Sequence, residues 1–223
     1  MKQLLVKKSN DLPMCRYDLN LVQYRILCFC NGYIYHQIEE EPTMILIISE
    51  FAEVFSVKLD TAKKQIRSSI SILSESGFYK KDKKGNELHI KWFDEISYIN
   101  NEKIKIVFSE DCKTFMFNLK AYFFTYGIDK IHYLDGKYSI RIYEIMLSRS
   151  YPNKSIDIQI EELRYILCLG EKYKDTEALN RLLTRNINEI NQKTNIDVSV
   201  KYSKMGKSII GYEFSVKFKD YEK

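Results

Sequence analysis

Arg181, Thr184, Arg185 and Asn188 lie three and four residues apart, the spacing of neighbours on one side of an α-helix. Leu179, Leu183, Ile187 and Ile190 follow the same period and form an apolar stripe facing the other way. Lys174 precedes this helix on the side of the arginines. Further on, Lys204 and Lys207 bracket Gly206 between two runs of alternating apolar residues, so a basic tip closes a hairpin. The chemistry of this set is binding. Guanidinium forks match phosphate oxygens and guanine edges, ammonium groups neutralise phosphates, and hydroxyl and amide groups bond to either. Charged helix faces are more often plain solvated surface, so the pattern gains weight only if the chain repeats it.

Residues that could react are scattered by comparison. His36, His89 and His132 are isolated, whereas a metal-dependent enzyme that cuts DNA through a tyrosine needs two histidines one residue apart to hold the metal. With 17 tyrosines, a single one carries no signal. The carboxylate pairs Asp94–Glu95 and Glu161–Glu162 are sequence neighbours whose side chains point apart. None of the 8 glycines stands in phosphate-loop or dinucleotide spacing. Cys15, Cys28, Cys30, Cys112 and Cys168 are odd in number and irregularly spaced. That pattern favours reduced, packed thiols over disulfides or a zinc cluster. No catalytic residue, metal ligand or cofactor is expected. The N-terminal apolar run is too short for a signal peptide, and no segment approaches the roughly 18 apolar residues of a membrane span, so a cytoplasmic protein is expected.

The 223 residues fit one large domain or two of about 100–120. Net charge is +5, from 35 basic and 30 acidic residues, so an anionic partner must be met by a local patch. Periodicity predicts a helix over 19–35 with Leu21, Tyr24, Leu27 and Cys28 on one face, and a strand over 43–49. A short helix capped by Ser49 follows, then a longer helix over 61–75 capped by Asp60 and stopped at Gly77. Ala62, Ile66, Ile70 and Leu73 form its inward stripe; Lys64, Arg67, Ser68 and Ser71 face outward. Hairpin strands come next, broken by "DKKGN" and "INNE".

The second half repeats this order. Helices are predicted over 115–127, over 137–151 with Ile142, Ile145 and Met146 inward, and over 161–169; a strand is predicted over 155–160. Asp175 caps the long helix 175–191, and a basic hairpin ends the series. The polar stretch 109–114 reads as the boundary, giving domains 1–114 and 115–223. The fold class is therefore α+β, with two tandem winged helix-turn-helix domains. The second helix of such a turn fits the major groove of duplex DNA, and the wing lies along the backbone. Two such units in tandem make Lys64, Arg67, Ser68, Ser71, Lys174, Arg181, Thr184, Arg185, Asn188, Lys204 and Lys207 the candidate DNA-binding residues. Arg181, nearer the helix N-terminus, is favoured as the base reader.

Four stretches also carry a family resemblance: "LVKKSNDLPMCRYDLNLVQYRIL" (5–27), "FNLKAYFFTYGIDKIHYLDGKYSIRIYEIM" (117–146), "IEELRYILCLGEKYKD" (160–175) and "NEINQKTNIDVSVKYSKMGKSIIGYEFSV" (188–216). In this order, with "KYSIRIYE" the most specific piece, they resemble the replication initiator proteins of theta-replicating, iteron-type plasmids. The resemblance implies that a monomer binds direct repeats at a plasmid origin. It also implies a homodimer, formed through the first domain, that binds an inverted repeat at its own promoter and represses the gene. Host replication proteins, such as the bacterial initiator and helicase, would join the opened origin. The second domain, with residues 174–208, would be the main sequence reader. Contacts made through the longer tails of some relatives are in doubt for this chain. A winged-helix transcriptional regulator without a replication role, or a winged-helix protein-interaction module, would share the same pattern. Direct repeats near the gene argue against the first, and salt-sensitive DNA binding against the second.

Overall fold

Two stretches of the chain run through the same sequence of elements. The computed structural model describes residues 4–35, 43–117, 119–150 and 155–219. The first stretch contains β1 (Leu5–Ser9), a 3-10 turn at Leu12–Met14, α1 (Leu21–Tyr35), β2 (Thr43–Ile47), α2 (Ile48–Val54) and α3 (Leu59–Glu75). It continues with β3 (Gly77–Lys81), β4 (Glu87–Lys91), β5 (Phe93–Tyr98), β6 (Lys103–Phe108), α4 (Glu110–Met116), β7 (Phe123–Gly127) and α5 (Asp129–His132). The second contains α6 (Lys137–Arg149), β8 (Ser155–Gln159), α7 (Ile160–Ile166), a 3-10 turn at Glu171–Tyr173, α8 (Thr176–Lys193), β9 (Ile196–Met205) and β10 (Ser208–Phe218). Thus α1-β2-α2-α3-β5-β6 and α6-β8-α7-α8-β9-β10 are equivalent series. The sheets agree too: the antiparallel orders are β2-β6-β5 and β8-β10-β9. Each series is a winged helix-turn-helix, and the repeat read from the sequence is present.

The turn between the two helices is built identically in both units, without glycine. After α2, Ser56 takes φ 51; after α7, Cys168 takes φ 50. The N–H of Ser56 bonds the Glu53 carbonyl, and that of Val57 the Ala52 carbonyl. Cys168 bonds Tyr165 and Leu169 bonds Arg164 in the same pattern. This is the Schellman arrangement, which satisfies the last carbonyls of a helix by a left-handed residue that is usually glycine.

The structure moves the domain boundary. The two compact units are residues up to Cys15 with Leu19–His132, and Arg16–Asp18 with residues from Tyr133 on. The division expected at 114/115 fails because the N-terminal strand β1 pairs antiparallel with β7 across Leu5↔Gly127 to Ser9↔Phe123. A strand pair holds both its segments in one unit. The stretch 109–114, read as a linker, forms most of α4, capped by Ser109 Oγ accepting the Cys112 N–H at 3.2 Å. The helix expected over 115–127 is the end of α4, a connection and β7; its aromatic residues alternate in burial as strand residues do.

Caps differ as well. Asp175 caps α8, its carboxylate accepting the Ala178 N–H at 3.2 Å. Asp60 and Ser49 instead sit inside the first turns of α3 and α2, whose caps are Lys58 and Ile47 with no side-chain hydrogen bond. Gly77 does not stop α3 through a left-handed backbone. It opens β3, where a Cβ would lie 2.0 Å from the Ile90 carbonyl oxygen. The described side chains of α1 are mostly buried, with Leu21 half-buried. His36 and Glu39–Glu41 lie outside the described residues.

In the second unit, α6 is enclosed, and every residue from Ser139 to Ser148 is buried, polar ones included. These include Arg141 and Glu144, at 2% and 0% exposure. The Arg141 guanidinium lies 3.7 Å from the centre of the Tyr17 ring and donates to the Ile166 carbonyl at 2.8 Å. It thereby fastens the end of α7 to α6. The segment that carries the family resemblance is thus the inner strut of the helix-turn-helix.

Candidate nucleic-acid interface

Helix α8 turns Leu179, Leu182, Leu183, Ile187 and Ile190 into the core of the second unit and leaves Arg181, Thr184, Arg185 and Asn188 exposed. The faces read from the sequence are the faces observed. Asn191 fixes this helix to the wing: its side-chain amide donates to the Val198 carbonyl at 2.9 Å and accepts the Val198 N–H at 2.7 Å, taking the place of a strand neighbour. Tyr212 on β10 reaches Asn180 at 2.8 Å from the sheet side. The outer face of α8 and the wing are therefore joined into one surface.

The wing itself runs to its limit. Strands β9 and β10 pair from Ile196↔Phe218 out to Met205↔Ser208, leaving only Gly206 and Lys207 as the loop. Gly206 has φ +62, while Lys207 has none of the left-handed character. This is the pattern of a tight hairpin with glycine at the first turn position. Lys204 and Lys207 are exposed beside Gly206 as expected, with Tyr202 and Met205 also open to solvent. A bulge at Ile210 shifts the register, and Gly211 follows where a Cβ would meet the Ile158 carbonyl oxygen at 2.9 Å.

The cations differ in how committed they are. Arg185, Lys204 and Lys207 make no ion pair among the described residues. Arg181 pairs with the carboxylate of Glu177 one turn earlier, a helix-surface contact worth only about 0.2–0.5 kcal/mol. Lys174 is exposed and pairs with Glu171 at 3.4 Å. With Asp175 and Glu177 at the same end, the N-terminus of α8 already has acidic partners.

A groove of about 970 Å³ runs beside this face. Its far wall is the N-terminus of α6, with Lys137 and Tyr138, and the turn bearing Lys172 and Tyr173. Its floor is closed by Glu189, whose carboxylate accepts the Asp135 N–H at 2.7 Å, the Ser139 hydroxyl and Lys193 at 3.0 Å. Burial pushes this carboxyl up, but the bonds from Ser139, Asp135 and Lys193 outweigh it and hold it below the usual range. Sequence reasoning missed Lys172, Tyr173 and Gln192. Gln192 is one turn beyond Asn188 and was legible from the period; the "EKY" turn interleaves a base and an aromatic just before the helix.

The equivalent surface of the first unit has the same geometry and different electrostatics. Lys64, Arg67, Ser68 and Ser71 are exposed on α3, opposite Ala62, Ile66, Ile70 and Leu73. Arg67, however, donates to Asn101 Oδ1 at 3.0 Å and lies over the Tyr98 ring at 5.8 Å. Lys63 pairs with Glu102 at 3.1 Å. The wing of this unit thus occupies Lys63 and Arg67 of its own helix, while Lys64 makes no ion pair among the described residues. Ser68 bonds within the helix, to the Gln65 carbonyl at 3.1 Å.

No group of three histidine, cysteine or acidic side chains among the described residues could hold a metal, and no helix among them is long and apolar enough to cross a membrane. His89 is exposed and packs on Tyr79 with ring centroids 4.8 Å apart.

Comparison with known proteins agrees with this architecture. A curated "Replication initiation protein" of Escherichia coli is 24% identical over 209 residues, covering 90% of this chain, which spans 66% of that relative's length. An "Uncharacterized 27.6 kDa protein" of the same organism is 22% identical over 219 residues, covering 91% of this chain and 90% of the relative. Among solved structures, the Pi initiator protein in complex with iteron DNA superposes with a TM-score of 0.78 at 17% identity over 100% of both chains. Domains 2 and 3 of RctB match at a TM-score of 0.50 and 12% identity, over 88% of this chain and 80% of theirs. Residues 5–147 match the family "Initiator Replication protein, WH1" and residues 159–216 the family "Initiator Rep protein, WH2". The chain belongs to the replication initiator protein family, whose WH1 and WH2 models it matches in turn.

Proposed function

We propose that the protein initiates plasmid replication by binding repeated duplex sequences at the origin, with α8 in the major groove and the β9–β10 wing on the backbone. The observation that carries this reading is the exposed face of Arg181, Thr184, Arg185 and Asn188, held to a lysine-tipped wing by Asn191 in a member of this family. Pi, a solved structure of similar fold, is in complex with iteron DNA. On this proposal Arg181 exchanges Glu177 for a DNA acceptor, and Arg185, without an ion pair among the described residues, needs no exchange. Lys174, Lys204 and Lys207 take phosphates. Lys64, Arg67, Ser68 and Ser71 on α3 make auxiliary contacts, weaker because Arg67 is shared with Asn101.

The same proposal has the first unit forming a homodimer that represses the protein's own gene at an inverted repeat, in the bacterial cytoplasm. Strand β5 is the edge of its sheet, and Tyr98 and Ile99 at its end are half-exposed, a surface that invites pairing with a second copy. Host initiator and helicase are the further partners. No catalytic step is part of the proposal. The test is binding to the direct repeats flanking the gene: tight, salt-sensitive and sequence-selective binding supports it, and equal affinity for scrambled duplexes refutes it.

A further inference from the structure

The groove beside α8 has a wall that the proposed duplex contacts leave unused. Helix α8 supplies one side through Arg181, Arg185, Asn188 and Gln192. The other side is the start of α6 and the 3-10 turn at Glu171–Tyr173, where the Tyr138 and Tyr173 rings meet edge to face with centroids 6.0 Å apart. Both rings are half-buried and line the groove. Each has a lysine beside it: Lys137 Nζ lies 5.0 Å from the centre of Tyr138, and Lys172 Nζ 5.5 Å from that of Tyr173. Five cations line this space against two carboxylates, Asp135 and Glu189, a net +3. Lys193 bridges both carboxylates, at 2.6 and 3.0 Å. Lys137 pairs with Asp18, and Arg181 with Glu177. Lys172 and Arg185, one on each wall, make no ion pair among the described residues.

The groove therefore offers three kinds of contact at once. Guanidinium and ammonium groups suit phosphates. Tyrosine rings suit flat rings. The amides of Asn188 and Gln192 carry donors and acceptors together, as the edge of a nucleobase does. A duplex stacks its bases on one another, so it presents backbone and edges to a protein but no ring face. An unpaired nucleotide presents all three. The charge favours a free nucleotide over a strand. A strand carries one negative charge per base, whereas a polyphosphate gathers several on one base and matches cations on both walls. The volume of about 970 Å³ lies in the range of small-ligand sites. Packing of the turn on α6 accounts for the ring contact alone, and calls for no uncompensated cation on either wall.

We infer that this groove binds a free nucleoside di- or triphosphate, its base against Tyr138 and Tyr173 and its phosphates on Lys172, Arg181 and Arg185. A nucleotide bound there holds both arginines and competes with duplex for α8. The competition rests on the proposed duplex binding by α8; the site does not, so the two are measured apart. Without DNA, native protein, Tyr173→Ala, Tyr173→Phe and Lys172→Ala are titrated calorimetrically with ATP, GTP, tripolyphosphate and adenosine, with melting temperatures as the folding control. The inference predicts that ATP or GTP binds native protein about tenfold or more tighter than tripolyphosphate or adenosine. Tyr173→Ala loses about tenfold on the nucleotide and nothing on tripolyphosphate, and Tyr173→Phe keeps the native affinity. Lys172→Ala, altered at an exposed side chain, weakens nucleotide and tripolyphosphate alike. Tripolyphosphate binding as tight as that of ATP and GTP would reduce the groove to a cationic patch and overturn the inference. So would the absence of heat up to about 1 mM nucleotide, or a single-stranded oligonucleotide that binds where ATP and GTP do not. In the second arm, duplex binding by native protein is followed by anisotropy as nucleotide is added. Duplex affinity should fall about tenfold when nucleotide reaches about ten times its own Kd, and an unchanged affinity overturns the competition. If nucleotide binds as predicted while native protein binds no duplex, the α8 reading falls and the site stands.

Discussion

Residues with similar chemistry on α8 are not equally available. Arg185 has no ionic partner among the described residues, while Arg181 is held by Glu177. Removing the competing carboxylate should free a cation for DNA. Glu177→Gln is expected to raise affinity for any duplex severalfold, with a salt slope steeper by up to about one, read by fluorescence anisotropy; a loss of affinity would mean that Glu177 positions Arg181 productively. Arg185→Ala should cost about 1–3 kcal/mol on the cognate site and little on random duplexes if it reads guanine. These roles were legible from the sequence only in outline. Helical period places a side chain on a face, but which carboxylate claims it depends on rotamers and on neighbours such as Asn101 that arrive from a distant hairpin.

Elements were legible where one signal dominates. The stripes of α3 and α8 follow from their period, and the Asp175 cap from its local chemistry. Strand β7 was misread as a helix because its pairing with β1 joins residues more than a hundred positions apart, a contact no local pattern reports. The left-handed residue in each turn between helices went unseen because glycine, the usual marker, is absent from both. That absence gives a prediction. Ser56→Gly should relieve the left-handed strain of a non-glycine residue and stabilise the protein by about 0.5–1 kcal/mol, raising Tm by about 1–4 °C. Ser56→Val should lower Tm. Equal Tm values for the two variants would show that the positive φ at Ser56 carries no strain. The link between α8 and the wing is likewise testable. Asn191→Ala strips the Val198 backbone of both its partners and should cost about 1–3 kcal/mol, seen as a lower midpoint in urea; an unchanged midpoint would show that the amide is dispensable.

Across the whole molecule, the internal repeat is the feature that sequence and structure share most fully, and the boundary is where they part. In the segment most specific to the family, Arg141 and Glu144 of α6 are buried, and Arg141 ties α6 to the end of α7. Stability should carry a pH signature from the groove floor. Glu189 has its folded-state carboxyl lowered from 4.5, so its contribution is whole above that pH and is lost as pH falls below it. The Tm difference between native protein and Glu189→Gln should therefore be largest near neutrality and close as the pH falls through the lowered carboxyl value; a constant difference would assign it to packing. Light scattering should find a dimer without DNA and a monomer on direct-repeat duplex, and a monomer at every concentration would remove the first-unit interface from the account. The measurement that bears most directly on the central claim is equilibrium binding of native protein, Arg181→Ala, Arg185→Ala and Lys207→Ala to cognate and scrambled duplexes over a salt series. The account predicts that at least one arginine variant loses about 1–3 kcal/mol on the cognate duplex alone, while Lys207→Ala weakens both duplexes and lowers the salt slope by about one. Cognate affinities within about twofold of native for all three variants, a difference below about 0.4 kcal/mol, would show that α8 and its wing do not read the DNA.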